Sequence, residues 1–194
     1  MHKISWILAS QSPRRAQLLS EAGVDFQPIK PPYNDPPHPE DTGAGPEQIA
    51  MQLSFQKALS VQKIIPNRHI LAADTLIVMP DGSLAGTPVT RDQARLQITD
   101  MLNCAYWVVT GVTMLIPGQN GPIQLADRAQ VTLGNIPDSE LNAYLDTNQW
   151  QGKAGGYNLF DRQKAGWPVT VQGDETTVVG LPMGLLKDYF QDNF

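Results

Sequence analysis

The sequence predicts an α/β protein with a mixed sheet, and three observations carry that prediction. Apolar runs of strand length alternate with segments of helical periodicity along the 194 residues. Some neighbouring strands are joined by short turns and others by helices, so parallel and antiparallel pairings are both expected. A composition of 41% hydrophobic and 17% charged residues suits one globular domain, residues 1–194, with core enough to fold without disulfides or a structural metal.

Taken in order, residues 5–9 form an apolar run read as a buried strand. Residues 13–21 place Ala16, Leu18 and Leu19 at helical spacing, with Ser12 as N-cap, Pro13 as first helical residue and Gly23 as the stop. Residues 28–46 hold seven of the sixteen prolines, too many missing amides for a helix or central strand, so this stretch is a loop. A helix over 47–63 puts Ile49, Ala50, Leu53 and Lys57 on one stripe. The long apolar stretch 69–79 turns at Pro80, Asp81 and Gly82 into a hairpin toward Leu84. Thr90 and Gln93 open a helix that runs to Leu102. Residues 106–116 and 123–133 read as long paired strands, and Pro137 opens a helix reaching Leu145. Past the glycine-rich residues 152–156 come two short strands, near Val169 and Val178, and a last helix from Pro182.

Charge and composition exclude several functions. Lys and Arg number 14 against 19 Asp and Glu, a net charge of −5, which offers no footprint for a nucleic-acid backbone. The single Cys104, read as a small buried residue, rules out an internal disulfide and multi-cysteine metal sites, and suits a reducing cytosol. His2, His38 and His69 are too widely spaced for a zinc-protease motif. The amino-terminal segment matches neither a signal peptide nor a membrane span.

Four places could carry chemistry. At Ser10-Gln11-Ser12-Pro13-Arg14-Arg15 a strand hands over to a helix whose first turn carries two cations, against the helix dipole. A bound phosphate would compensate them, with the hydroxyls, amides and guanidinium groups as its cradle; pairing with surface carboxylates is the alternative. Asp74, followed by Thr75, interrupts an apolar strand, and a buried carboxylate needs a metal, a cation or several donors. It could hold a magnesium ion, activate a water, or serve in a structural ion pair. Lys57 lies on the inward stripe of its helix, where its stem could equally snorkel to solvent. Gly152-Lys153-Ala154-Gly155-Gly156 joins backbone freedom to a cation, without the spacing of a P-loop. Asp35, Glu40 and Asp41 in the proline-rich loop are further candidate metal ligands. Together these residues suggest a site for a polyphosphate with magnesium.

From Ile7 to Met183 the chain resembles the Maf family of nucleoside triphosphate pyrophosphatases. The resemblance rests on LASQSPRRAQLL and, in the family's order, on Lys57-Ala58, Ala73-Asp74-Thr75, Val109-Thr110-Gly111-Val112, Gly152-Lys153-Ala154-Gly155 and Val178-Val179-Gly180-Leu181-Pro182. It implies an elongated, two-lobed mixed α/β fold around a central cleft, related in shape to inosine triphosphate pyrophosphatases, in a cytoplasmic and often dimeric protein. The implied activity converts a nucleoside triphosphate such as dTTP, UTP, a modified pyrimidine nucleotide or 7-methyl-GTP to the monophosphate and pyrophosphate. A divalent metal, Mg or Mn, is implied as cofactor, with roles in removing noncanonical nucleotides or regulating division.

Carried over by motif, Asp74 becomes proton acceptor and metal ligand, and Asp35 stands where relatives have a metal-binding glutamate. Ser10, Ser12, Arg14, Arg15, Lys57 and Lys153 would hold phosphates, and Arg14, Thr75 and Phe160 take the positions associated with base choice. Two departures stand out. Gly86-Thr87-Pro88 lacks the lysine relatives carry at its centre, for which Arg162 or Lys164 are candidate substitutes. Phe160 replaces a glutamine or glutamate, and a ring stacks on a base without reading its edge. These departures keep open a second reading, a nucleotide-binding protein without turnover acting as sensor or scaffold. A protein phosphatase or plain phosphate-binding module would fit the arginines but leave Asp74 and Lys153 unexplained.

Overall fold

A computed structural model describes residues 5–36 and 43–191. The element order is β1 (Trp6–Leu8), α1 (Pro13–Glu21), β2 (Phe26–Pro28), α2 (Pro46–Gln62), β3 (His69–Val78), β4 (Leu84–Ala85), α3 (Arg91–Met101), β5 (Cys104–Leu115), β6 (Ile123–Leu133), α4 (Asp138–Asp146), a 3-10 turn (Ala154–Gly156), α5 (Leu159–Lys164), β7 (Val169–Gln172), α6 (Glu175–Val179) and α7 (Met183–Gln191). The strands follow the order β2-β1-β3-β5-β6-β7, with β4 on β3. The sheet is mixed, as the sequence predicts: β1 pairs in parallel with β2 and β3, whereas β3 with β4 and β6 with β7 run antiparallel.

The chain divides into two compact units, one of residues 1–75, 109–127 and 176–194, the other of 76–108 and 128–175. In the first, alternate residues along β1 and Ala9, which follows it, enter different cores. Trp6 and Leu8 pack with Leu18 and Leu19 of α1 and Leu186 and Phe190 of α7, while Ile7 and Ala9 pack with Ala58 and Val61 of α2. A strand covered on both faces has no polar alternation, which is why this segment reads as a continuous apolar run. In the second unit Arg91 and Arg95 of α3 pair with Asp146 and Asp138 of α4. Tyr144 and Tyr157 lie against Trp167 there.

Two start signals act as read. Ser12 Oγ accepts from the Arg15 amide, and Thr90 Oγ1 accepts from the Gln93 amide. The Gln93 side chain bonds back to the Val89 amide, closing the cap one residue earlier than a capping box does. The strand expected near Val178 is corrected to helix α6. Its β-branched residues are overridden by tertiary contacts: Thr177 is fully buried, its hydroxyl donating to Asp127 and its carbonyl accepting from Thr110. Cys104 is only half-buried at the start of β5, its thiol against the Asp100 carbonyl. Strand β2 and helix α5 are additions to the expected order, the latter capped by Asn158, which accepts from the Asp161 amide.

Candidate active site

β3 brings Asp74 and Thr75 to the site from a strand whose residues 70–73 are wholly buried. Asp74 is itself buried, at 7% exposure, so its carboxylate needs a partner close by. That partner is Lys57. Its ammonium bonds to Asp74 Oδ1 and also lies 2.9 Å from Asp35 Oδ2. The lysine side chain is 14% exposed, which excludes snorkelling to solvent. Burial raises the Asp74 carboxyl above its ordinary range, against the opposing pull of Lys57 and Arg15. Tyr33, from the proline-rich loop, feels the same cluster, its phenol raised first by burial and then by the Asp35 charge.

Lys57 is held there by the seating of its helix. Gly111 of β5 has no side chain to separate it from α2, and a Cβ at that position would lie 2.3 Å from backbone atoms of Ala50 and Met51. Beside this contact Ser54 Oγ donates to the Met51 carbonyl at 2.8 Å. With that proton committed, the 2.8 Å contact between Ser54 and Thr113 of β5 must be a bond donated by Thr113.

A second network surrounds Arg15. Its Nε donates to the Gly180 carbonyl at 2.9 Å, Nη2 to Thr75 Oγ1 at 3.0 Å and Nη1 to Ser10 Oγ at 3.3 Å. Thr110 Oγ1 donates to the Thr177 carbonyl at 2.8 Å, so the 2.9 Å contact between Thr75 and Thr110 is donated by Thr75. Proton direction is therefore fixed along Arg15, Thr75, Thr110 and the Thr177 carbonyl. Burial lowers the Arg15 pKa, with Asp74 opposing that shift. Among the described residues three of its five N–H groups are spent on neutral protein acceptors, which leaves two for an anion. Ser10 Oγ also accepts from the Ser12 amide at 3.1 Å, and its own proton has no acceptor among the described residues. Arg14 stands half-buried in the first turn of α1, and its charge adds to the lowering of Arg15.

Thus Ser10, Ser12, Arg15, Lys57, Asp74, Thr75 and Asp35 all belong to the first unit, where shared bonds tie them into two clusters. Lys153 and Phe160 belong to the second. Lys153 Nζ is 3.8 Å from Asp161 Oδ2, and Phe160 is 40% exposed in the first turn of α5. Gly152, Gly155 and Gly156 take positive φ, at 69°, 68° and 79°, so the glycine-rich stretch uses the backbone freedom expected of it. The Gly155 amide is committed to the Gly86 carbonyl at 3.1 Å, and a Cβ there would fall 2.6 Å from Ile77 Cδ1, so this glycine also serves packing. Thr87 is exposed beside that contact. Arg162 is not a free substitute for the missing lysine: its guanidinium lies 4.4 Å from the Tyr144 ring centroid and donates to Gln149. Lys164 is exposed at the end of α5. Glu40 and Asp41 lie outside the described residues.

Thr110 and Gly180 are site residues that reading for chemistry missed. Thr110 had the signal that betrays Asp74, a polar group inside an apolar run; Gly180 acts through its carbonyl, which no side chain announces. No group of three or more His, Cys, Asp or Glu among the described residues is placed to hold a metal by itself. Asp35 and Asp74 nonetheless converge on one cation, the Lys57 ammonium, and two carboxylates completed by phosphate oxygens are an ordinary donor set for a hard divalent ion. The residues present fit such an ion.

The family model described as Maf-like protein matches residues 5–193. A "dTTP/UTP pyrophosphatase" of Thermoanaerobacter sp. (strain X514) is 32% identical over 191 residues, covering 97% of this chain and 96% of the relative. The protein of that name from Pyrococcus abyssi is 30% identical over 190 residues, 97% of this chain and 96% of its own. Its counterpart in Halalkalibacterium halodurans is 35% identical over 179 residues, 91% and 90% of the two chains. With the match running almost from end to end, the chain belongs to the Maf family.

Proposed function

We propose that this chain is a nucleoside triphosphate pyrophosphatase, a hydrolase that converts its substrate to the nucleoside monophosphate and pyrophosphate. The observation that carries the reading is Asp74, a buried carboxylate facing a single ammonium beside a cluster of phosphate-type donors. Asp74 Oδ1 bonds to Lys57 in the nucleotide-free chain, and the carboxylate would orient a water and take its proton through an oxygen clear of that ammonium. The water oxygen bonds to the α-phosphorus, the bond from that phosphorus to the bridging oxygen breaks, and pyrophosphate leaves with the electron pair. Lys57, the free N–H groups of Arg15 and the spare proton of Ser10 would neutralise and position the phosphate chain.

The family points to a divalent metal in general. Asp35 and Asp74 would hold it, with Mg or Mn the proposed ion, and when bound it supplies charge neutralisation on the phosphates. Roles for Arg14 and Lys153 in phosphate binding, and for Arg14, Thr75 and Phe160 in base choice, are proposed from motif position. The relatives' names make dTTP and UTP the first substrates to try. Residues 1–194 are proposed to act as one catalytic domain, in the cytoplasm, on nucleotides and not on nucleic acid or membrane, with a homodimer following from the resemblance. Among the described residues no helix is long and apolar enough to cross a membrane.

Asp74→Asn should lower kcat by about a hundredfold or more while leaving the circular dichroism spectrum intact. Near-wild-type turnover in that variant would remove Asp74 from the chemistry. A second reading, nucleotide binding without turnover, draws on the exposed Thr87 and the aromatic seating of Arg162, which together leave the missing lysine unreplaced from that quarter.

A further inference from the structure

We infer that Lys57 is a built-in competitor for the divalent ion, occupying the meeting point of the Asp35 and Asp74 carboxylates until a nucleotide draws it away. This rests on the reading that those two carboxylates are the metal ligands. One ammonium contacts both, at 2.9 Å from Asp35 Oδ2 and in direct hydrogen bond with Asp74 Oδ1.

The backbones that carry the main pair are held in place, so only the flexible Lys57 side chain can leave the carboxylates. Asp74 sits on β3 among buried residues, and Lys57 rides on a helix pressed against β5 at Gly111 and bonded to it through Ser54 and Thr113. The Lys57 and Asp74 side chains are only 14% and 10% exposed, so solvent screens their attraction poorly. An ion arriving alone must break both ion pairs or share the site with an ammonium and the nearby Arg15 guanidinium, and like charges at that range repel strongly. A triphosphate changes the balance. Its oxygens offer the ammonium a new anionic partner and at the same time complete the ion's shell, so metal and nucleotide should load together.

The test is direct binding of Mn2+, followed by the electron paramagnetic resonance of the free ion, with no hydrolysis involved. Nucleotide-free wild-type protein should bind Mn2+ weakly, and a non-hydrolysable dTTP or UTP analogue should tighten that binding. Lys57→Met, or Lys57→Gln if the first variant does not fold, should bind nucleotide-free Mn2+ roughly tenfold tighter than wild type, whereas Lys57→Arg should remain weak. Adding Asp74→Asn to Lys57→Met should abolish the gain. If neither neutral variant gains affinity, or nucleotide-free wild type already binds as tightly as they do, the competitor role is overturned; the ligand assignment then stands if Asp74→Asn alone weakens Mn2+ binding in the presence of the analogue and fails if it does not. If the gain survives Asp74→Asn, the ligand assignment itself fails, and the competitor role with it.

Discussion

Asp74 concentrates the opposing demands of stability and chemistry in one side chain. Its burial raises its carboxyl above the ordinary value of 3.8, so folding favours the protonated form over the ionised one. The sign of the consequence follows from linkage. As pH rises from the ordinary carboxylate value through the raised one, the unfolded chain has lost this proton while the folded chain still holds it, and stability falls. Asp74→Asn cannot titrate, so its melting temperature relative to wild type should climb as pH rises from the ordinary carboxylate value, about 4. A difference that stays flat with pH would show that Lys57 and Arg15 cancel the burial effect. That Asp74 needs a close partner was legible in the sequence because a carboxylate inside an apolar strand demands one, and the inward position of Lys57 was legible from its stripe on α2. Partners of Arg15 were not. Its hydrogen bonds reach Thr75 and Gly180, 60 and 165 residues away, and no local spacing encodes contacts of that range.

At the scale of elements, the site depends on how closely α2 approaches β5. Gly111→Ala would drive a methyl carbon into the backbone of Ala50 and Met51, and a helix backbone cannot step aside as a flexible side chain can. The variant should lose about 3 kcal/mol of stability, or about 10 °C in melting temperature, and weaken turnover because α2 carries Lys57. A calorimetric scan superimposable on wild type would contradict the tight seating of this helix. Most elements were legible because their signals are local: the caps at Ser12 and Thr90, the turn after Met79, and the apolar runs of β1, β3, β5 and β6. Helix α6 was not, since β-branched Thr176, Thr177, Val178 and Val179 favour a strand until Thr177 is given its buried partners. The three residues of β2 exist only by pairing with β1, and so short a strand leaves no periodicity to read.

For the whole molecule, the question is whether a chain with the family's motifs but without one of its lysines turns over nucleotide. Thr87 is exposed and faces no packing demand, so Thr87→Lys should fold normally. Restoring a charge-assisted contact of about 1.5–3 kcal/mol should raise kcat/KM by roughly tenfold to a hundredfold. An unchanged kcat/KM would mean that another group already supplies the charge, and Lys164 is the exposed cation to vary next. Every such comparison presupposes the reaction itself. The most direct measurement is therefore product analysis after incubating the protein with a divalent metal and a panel of nucleoside triphosphates that includes dTTP, UTP and modified bases, resolving pyrophosphate from orthophosphate. Equal amounts of nucleoside monophosphate and pyrophosphate, lost in Asp74→Asn, are the predicted result; release of orthophosphate, or bound nucleotide recovered intact across the panel, would contradict it.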